Sequence, residues 1–295
     1  MKILVTGGTG FIGYNLINSL LNYDSSLDIT ALGTSNELIL NPSVKYLNYL
    51  NYNYKSLDYF DIVFHQAANN DTQLNNKTIM LNDNYYHPCK LFDFLYKKGC
   101  RKFIYASSCA VYGNAKLPYH ENDKDLKPLT FYGFSKKMFD DFAMSFYEDT
   151  SVIGLRYSNV YGFNEHHKSK RASMIFQIIN KIKNNEDIVL FKDGTQKRDW
   201  VFIDDIVSLN ILAVNLLGHE ILNCGSGVAT SFNDLIEIIG KYFNWQGKIS
   251  YIENNIDSTY QSHTCCDINK IKHLFNWIPT PLEEGIKKTI MNLNS

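Results

Sequence analysis

The run Gly7-Gly8-Thr9-Gly10-Phe11-Ile12-Gly13 constrains this chain more than any other stretch of it. It stands directly behind Lys2-Ile3-Leu4-Val5-Thr6, which reads as a buried strand. It stands directly before an apolar pattern of helical period, with Leu16, Ile17, Leu20 and Leu21 on one face of residues 14–23. A strand that must turn at once into a helix needs residues without a Cβ. Glycines at 7, 10 and 13 meet that need and let a pyrophosphate come close to backbone N–H groups. The helix N-terminus adds about half a positive charge. Gly7, Gly10, Phe11, Ile12 and Gly13 are therefore the first candidates for a dinucleotide-cofactor site.

The same alternation of strand and helix repeats along the chain. Runs at 2–6, 28–32, 44–48, 61–65, 102–107 and 152–157 are short and mostly apolar, as strands buried on both faces of a parallel sheet must be. Helical patterns fit 14–23 and 90–98, the latter through Leu91, Phe92 and Leu95. Parallel neighbours need right-handed crossover helices, so the expected fold is α/β, a doubly wound parallel Rossmann sheet. After about Gly162 the texture changes. The charged segment Glu165-His166-His167-Lys168-Ser169-Lys170-Arg171 precedes a helical run at 174–182. Strands at 188–191, 199–203 and 221–224 and helices at 232–243 and 282–291 complete the pattern. With no internal repeat or low-complexity linker, the reading is a dinucleotide-binding domain from 1–162 and 198–224. A smaller interleaved C-terminal substrate-binding domain takes 163–197 and 225–295.

Composition enters by exclusion. Lys+Arg 29 against Asp+Glu 30 leaves a net charge of −1, with no basic field for a nucleic-acid partner. No apolar stretch reaches the roughly 18 residues of a membrane span, and no secretory h-region is seen. The six cysteines form no Cys-x-x-Cys pair, so a cytoplasmic protein with free thiols is expected. His65, His166 and His167 lack the spacing of a zinc site, and no metal is expected.

The second strand is followed by Leu32-Gly33-Thr34-Ser35-Asn36, with no Asp or Glu to meet a ribose 2′-hydroxyl. Thr34 and Ser35 could donate to a 2′-phosphate, so NADP is favoured, with NAD as the alternative. Further on, Ser108 ends the fifth strand, and Tyr132 and Lys136 are four residues apart in a helical segment, which places them on one face. A Tyr near its usual pKa of ~10 is a poor base at neutral pH. Lowering it by about three units takes ~4 kcal/mol, a demand placed on the Lys136 ammonium and a nearby nicotinamide cation.

Several stretches together resemble the extended short-chain dehydrogenase/reductase superfamily, the NAD-dependent epimerases and dehydratases. They are the three glycines, Phe64-His65-Gln66-Ala67-Ala68, Asn84, Ser108, Tyr132 with Lys136, Arg156-Tyr157-Ser158-Asn159-Val160-Tyr161-Gly162 and Arg198-Asp199-Trp200-Val201. The resemblance spans nearly the whole chain. It implies a nucleotide-diphosphate sugar as substrate, a homo-oligomer, and Ser108, Tyr132 and Lys136 as the catalytic triad. It places Ala67, Ala68, Asn84, Lys136 and Val160 near the cofactor, and Ser108, Asn159 and Arg198 near the sugar nucleotide.

Finer features separate the branches. Cys109-Ala110 stands where 4,6-dehydratases carry Asp-Glu, which disfavours dehydration, and Cys109 reads as packing. Glu165-His166-His167-Lys168, with Lys168 nine residues after Asn159, is similar to the segment in which the ADP-glycero-manno-heptose 6-epimerase family carries its second catalytic base. Lys197-Arg198-Asp199-Trp200 and Tyr260-Gln261-Ser262-His263-Thr264 are similar to that family as well, which implies Lys168 as a catalytic residue and Tyr260 as a substrate contact. Gly33, Lys170 and Gln177 depart from its pattern, so a different activated heptose or hexose stays open. The expected activity is epimerisation through a transient ketone. A 4-epimerase, a net dehydrogenase or reductase, and a non-catalytic coenzyme sensor are the alternatives.

Overall fold

Ile3, Leu4 and Val5 are wholly buried, as a strand covered on both faces requires. They belong to the centre of a large sheet in a computed structural model that describes residues 1–34, 38, 40–49, 54–253 and 260–293. The chain runs β1 (Lys2–Thr6), α1 (Phe11–Tyr23), β2 (Asp28–Gly33), β3 (Lys45–Asn48), β4 (Ile62–His65), α2 (Lys77–Leu81), α3 (His87–Lys97), β5 (Lys102–Ser108), α4 (Phe131–Met144) and β6 (Ser151–Tyr157). It continues through β7 (Asn159–Tyr161), α5 (Met174–Lys183), β8 (Ile188–Phe191), β9 (Lys197–Phe202), α6 (Ile203–Ala213), β10 (His219–Cys224), β11 (Ala229–Ser231), α7 (Phe232–Phe243), β12 (Ile249–Ile252), α8 (Asn269–Phe275) and α9 (Leu282–Asn292).

These elements form two compact units, Met1–Gly113 with Leu126–Tyr157 and Ile206–Leu222, and Asn114–Asp125 with Ser158–Asp205 and Asn223–Ser295. The large sheet has the order β10-β6-β5-β4-β1-β2-β3 among the described residues. Every pairing from β6 across to β3 is parallel. This is the doubly wound sheet that the sequence predicts. The chain moves outward from β1 to β3 and then returns to place β4 on the other side of β1. The carboxyl ends of β1 and β4 therefore border the crevice in which such sheets bind ligands, and Thr6 and His65 are partners there.

Aromatic rings fill one face of this sheet. Phe92 stacks on Phe103 at 4.4 Å and meets Phe139 edge-on at 5.2 Å, so α3 and α4 are pinned to β5 by contacts worth about 0.5–1.5 kcal/mol each beyond burial. The helix that carries Tyr132 and Lys136 begins at Thr130, whose hydroxyl accepts from the Gly133 N–H at 3.1 Å.

The second unit holds smaller sheets. β9 lies between β11, antiparallel to it, and β7, parallel to it. β8 pairs in parallel with β12. Helices α5 and α7 bury Ile175, Ile178, Ile179 and Ile182, and Leu235, Ile236 and Ile239, and their N-termini are capped by Ser173 and Ser231. Among the described residues no helix is long and apolar enough to cross a membrane.

Candidate active site

The glycine turn is dictated by contact as well as by conformation. Gly7 has φ +68, and a Cβ there would lie 2.7 Å from the Ala67 nitrogen, so only glycine lets β1 turn beside the end of β4. At Gly13 a Cβ would lie 2.3 Å from the Gly7 carbonyl, which lets α1 sit directly on the turn. Gly10 is the N-cap of α1 and no side chain caps it, so the positive helix end, with half-buried Ile12 and buried Phe11 in its first turn, faces the cradle. These features fit a dinucleotide pyrophosphate. At the end of β2, Thr34 is exposed, and a Cβ on Gly33 would strike the buried Thr9 hydroxyl at 2.3 Å. Ser35 and Asn36 lie outside the described residues.

Ala67 is half-buried and Ala68 exposed. Thr6 Oγ1 accepts from the Ala67 N–H at 3.3 Å and lies 2.7 Å from His65 Nδ1. Burial, and then the nearby Lys136 charge, push His65 down to about 3, so its ring is neutral. Asn84 is buried, and its amide is spent on protein. Its oxygen accepts from the Asn69 N–H at 2.8 Å, and its nitrogen donates to the Asn69 carbonyl at 2.9 Å and to Ser135 Oγ at 3.1 Å. Asn84 thus fixes the segment after Ala68.

Ser108, Tyr132 and Lys136 come together in the first unit. The Ser108 hydroxyl lies near the Tyr132 phenol, whose pKa it lowers, and accepts from the Ala110 N–H at 3.1 Å. Gly133 makes this approach possible, since a Cβ there would lie 2.6 Å from the Ala110 carbonyl. Lys136 is buried and donates to the Ala106 carbonyl at 2.9 Å. Burial pushes its ammonium down to about 8, and the Asp140 carboxylate acts in the opposite sense. Without a coenzyme charge, burial raises the Tyr132 phenol, with the Ser108 hydroxyl acting in the opposite sense. Cys109 is buried and its thiol donates to the Arg156 carbonyl at 3.3 Å, a packing role.

Two polar clusters behind these residues join Arg156, Gln66 and Tyr157 of the quoted stretches to partners that the sequence patterns do not pair with them. Asp140 Oδ1 accepts from the Tyr105 hydroxyl at 3.0 Å, Asp140 Oδ2 from Arg156 Nε at 3.0 Å, and Arg156 Nη1 donates to the Tyr112 hydroxyl at 2.9 Å. A second cluster closes on itself. Tyr157 donates to Gln66 Oε1 at 2.9 Å, Gln66 Nε2 to Asn210 Oδ1 at 2.9 Å, and Asn210 Nδ2 to the Tyr157 hydroxyl at 2.8 Å. The first left one signal in the sequence, an acidic residue one turn beyond Lys136 in an otherwise apolar helix face.

In the second unit, Arg198 and Tyr260 are brought together. The guanidinium lies 5.0 Å from the Tyr260 ring centre and 5.8 Å from that of Phe232. Burial lowers the Arg198 pKa, with the Tyr260 phenol acting against it. Asn159 Nδ2 donates to the Asp199 carbonyl at 3.1 Å, and Val160 is half-buried beside it on β7, opposite Val201. Lys168 Nζ lies 2.8 Å from Glu165 Oε2. Glu165 is wholly buried and also accepts from the Gly162 N–H at 3.2 Å, the Ser173 N–H at 2.7 Å and the Ser173 hydroxyl at 2.6 Å. Gln177 donates to the Ala172 carbonyl at 2.7 Å and so braces the same loop. Among the described residues, no three His, Cys, Asp or Glu side chains come together as a metal-holding group.

Residues 3–225 match the model of the NAD dependent epimerase/dehydratase family. The chain is 32% identical to the ADP-L-glycero-D-manno-heptose-6-epimerase of Brachyspira hyodysenteriae, over 99% of this chain and 94% of that protein. The crystal structure of the Helicobacter pylori ADP-L-glycero-D-manno-heptose-6-epimerase superposes with a TM-score of 0.87 at 30% identity, covering 100% of this chain and 96% of that one. The structure of MoeE5 in complex with UDP-glucuronic acid and NAD superposes with a TM-score of 0.88 at 25% identity, covering 100% and 99%.

Proposed function

Because the chain belongs to the NAD dependent epimerase/dehydratase family, we propose that it is a nucleotide-sugar epimerase that inverts a carbinol carbon of a nucleotide-activated heptose through a transient ketone. The observation that carries the reading is Ser108 near the Tyr132 phenol with Lys136 buried one helical turn on, in the same unit as the glycine cradle.

A nicotinamide coenzyme held at the glycine cradle would supply reversible hydride transfer at the substrate carbon. The residues manage the proton. Ser108 holds the reacting hydroxyl against Tyr132, and the Tyr132 phenolate takes its proton as the ketone forms. A positive charge close to the phenol would oppose the burial that raises it, and an oxidised nicotinamide would carry one. Lys136 holds the ribose hydroxyls. In this reading Lys168, steadied by Glu165, is the second acid/base on the return step, and Asn159, Arg198 and Tyr260 hold the nucleotide diphosphate. The first unit is then the coenzyme domain and the second the substrate domain. We assign NADP as the coenzyme, supported by the absence of a carboxylate at Gly33 and by Thr9, which blocks that position. A cytoplasmic site of action is supported by the six cysteines, all free.

The test begins with mass spectrometry of the coenzyme that co-purifies, which should be NADP. Incubation with the ADP-activated heptose, followed by NMR, should then show inversion at one carbon with no net change in NADPH absorbance. Tyr132→Phe should lower turnover by about 10²–10⁴-fold. Near-normal turnover in that variant sinks the mechanism. If only Lys168→Met turns over normally, the heptose analogy fails and the family assignment stands. Stoichiometric NADPH formation would mark a dehydrogenase instead.

A further inference from the structure

The mechanism uses Lys136 as a cation, yet its surroundings oppose a charge there. Lys136 is buried, and the one hydrogen bond recorded for its Nζ goes to the neutral Ala106 carbonyl at 2.9 Å. A buried ammonium without a counter-charge loses its proton readily. The carboxylate that can answer it lies one turn further along α4. Asp140 is as buried as Lys136, and residues four apart on a helix face the same way.

We propose that Asp140 is the positioning residue that keeps the Lys136 ammonium in place for the coenzyme ribose, and that Tyr105 and Arg156 fix Asp140 for this task. The proposal rests on the reading of Lys136 as the coenzyme lysine. Both carboxylate oxygens of Asp140 are occupied, by the Tyr105 hydroxyl and by Arg156 Nε at 3.0 Å each. These two bonds fix the orientation of the Asp140 carboxylate. Arg156 is in turn held by the Tyr112 hydroxyl at 2.9 Å, and its guanidinium lies 4.9 Å from the Tyr112 ring centre. A buried Asp–Arg pair is poor evidence of stability, because desolvation offsets most of the attraction and apolar residues would fill the space as well. A carboxylate serving two cations gives the pair a purpose.

The titratable groups on the neighbouring elements support the assignment. From β4 comes His65, which burial keeps neutral, so it adds no second positive charge. Tyr105 from β5 is raised well above its ordinary value by burial, with Asp140 adding to the rise, and it stays protonated as a donor to that carboxylate. Arg156 comes from β6, Cys109 and Tyr112 from the turn after β5, and Tyr132 from α4 itself. Among these groups Asp140 is the anion, and its carboxylate raises Lys136 against the burial that brings it down to about 8. Removing the carboxylate leaves the burial unopposed, so Lys136 loses its proton at lower pH.

The experiment measures the affinity of the full-length protein for NADP, and separately for NAD, by calorimetry from pH 6 to 10. Affinity should fall on the alkaline side as Lys136 deprotonates. In Asp140→Asn that fall should begin about one pH unit lower, the size of effect expected from a neighbouring buried charge, and Asp140→Glu should restore it. If Asp140→Asn fails to fold, as judged by circular dichroism, the double variant Asp140→Asn with Arg156→Gln removes both charges and is read in the same way. An unmoved alkaline fall in the folded Asn variant, with affinity merely reduced at every pH, overturns the proposal. Lys136→Met separates this from the parent reading. If the alkaline fall vanishes in Lys136→Met but stays in place without the Asp140 carboxylate, Asp140 alone is wrongly assigned. If the fall persists in Lys136→Met, the coenzyme role of Lys136 fails and takes this proposal with it.

Discussion

His65 shows how one buried residue can make the whole protein sensitive to acid. Its ring is wedged between Thr6 and the edge of Phe92, 5.7 Å away, and burial holds its pKa near 3 against an ordinary 6.5. The unfolded chain therefore binds a proton between pH 6.5 and 3 that the folded chain refuses. The stability that His65 contributes is complete above pH 6.5 and is lost as pH falls toward 3, at up to about 1.4 kcal/mol per pH unit. His65→Asn should be less stable than wild type at pH 7, with a gap in urea-unfolding free energy that narrows steadily by pH 4. A constant gap would show that the folded site tolerates the imidazolium. At this scale the residues that carry local signals were legible: the glycines, Ser108, and the Tyr132 and Lys136 pair. The bonds that join Asp140 to Arg156, and Gln66 to Tyr157 and Asn210, were not. Their partners are distant in sequence, and a single Asp, Arg or Gln has no period to betray it. For Tyr132 and Lys136, spacing reports a shared face but not how deeply that face is buried.

At the scale of elements, α4 does most of the positioning, since it carries Tyr132, Lys136 and Asp140 on consecutive turns. Its start depends on one hydroxyl. Thr130→Val keeps the shape and removes the acceptor for the Gly133 N–H, which should cost about 1 kcal/mol and lower the melting temperature by about 2–4 °C. Differential scanning calorimetry measures it, and an unchanged melting temperature would mean the cap is replaced by water at no cost. Strands β1 and β8 coincide with their sequence patterns, as does α7, because each is uniformly apolar or strongly periodic. Strands β7 and β11 escaped, being three residues long, and β12 escaped because most of it is exposed. The helical stretch ahead of α3 escaped for another reason. A π-helical turn over Asn82–Tyr86 interrupts it between α2 and α3, so the apolar positions Met80 and Leu81 fall out of phase with Leu91, Phe92 and Leu95.

At the scale of the molecule, the chain changes texture at Gly162, whereas the contact units part at Tyr157 and exchange the chain again at residues 114, 126, 206 and 223. Such interleaving needs ties between remote stretches, and Asp199 supplies one inside the second unit. It is wholly buried, with Oδ1 accepting from the Ser226 N–H at 2.7 Å and its hydroxyl at 2.8 Å, and Oδ2 from the Gly227 N–H at 3.2 Å and the Cys266 N–H at 3.0 Å. Burial raises its carboxyl and these donors act against the rise. Asp199→Ala strands all four donors and should cost about 3 kcal/mol or more. Hydrogen exchange should show the amides of Ser226, Gly227 and Cys266 losing protection together. If they lose it independently, Asp199 is not the common tie.

The place of β10 beside β6 sets a condition on how the protein is made. Translation runs from the N-terminus, so a ribosome releases β6 well before it releases His219–Cys224, and in between the flank of β6 that β10 will cover offers bare N–H and C=O groups to any passing strand. The nascent chain spends that interval on the stretch that makes α5, β8 and β9, so slow codons there would lengthen the exposure and fast ones would shorten it.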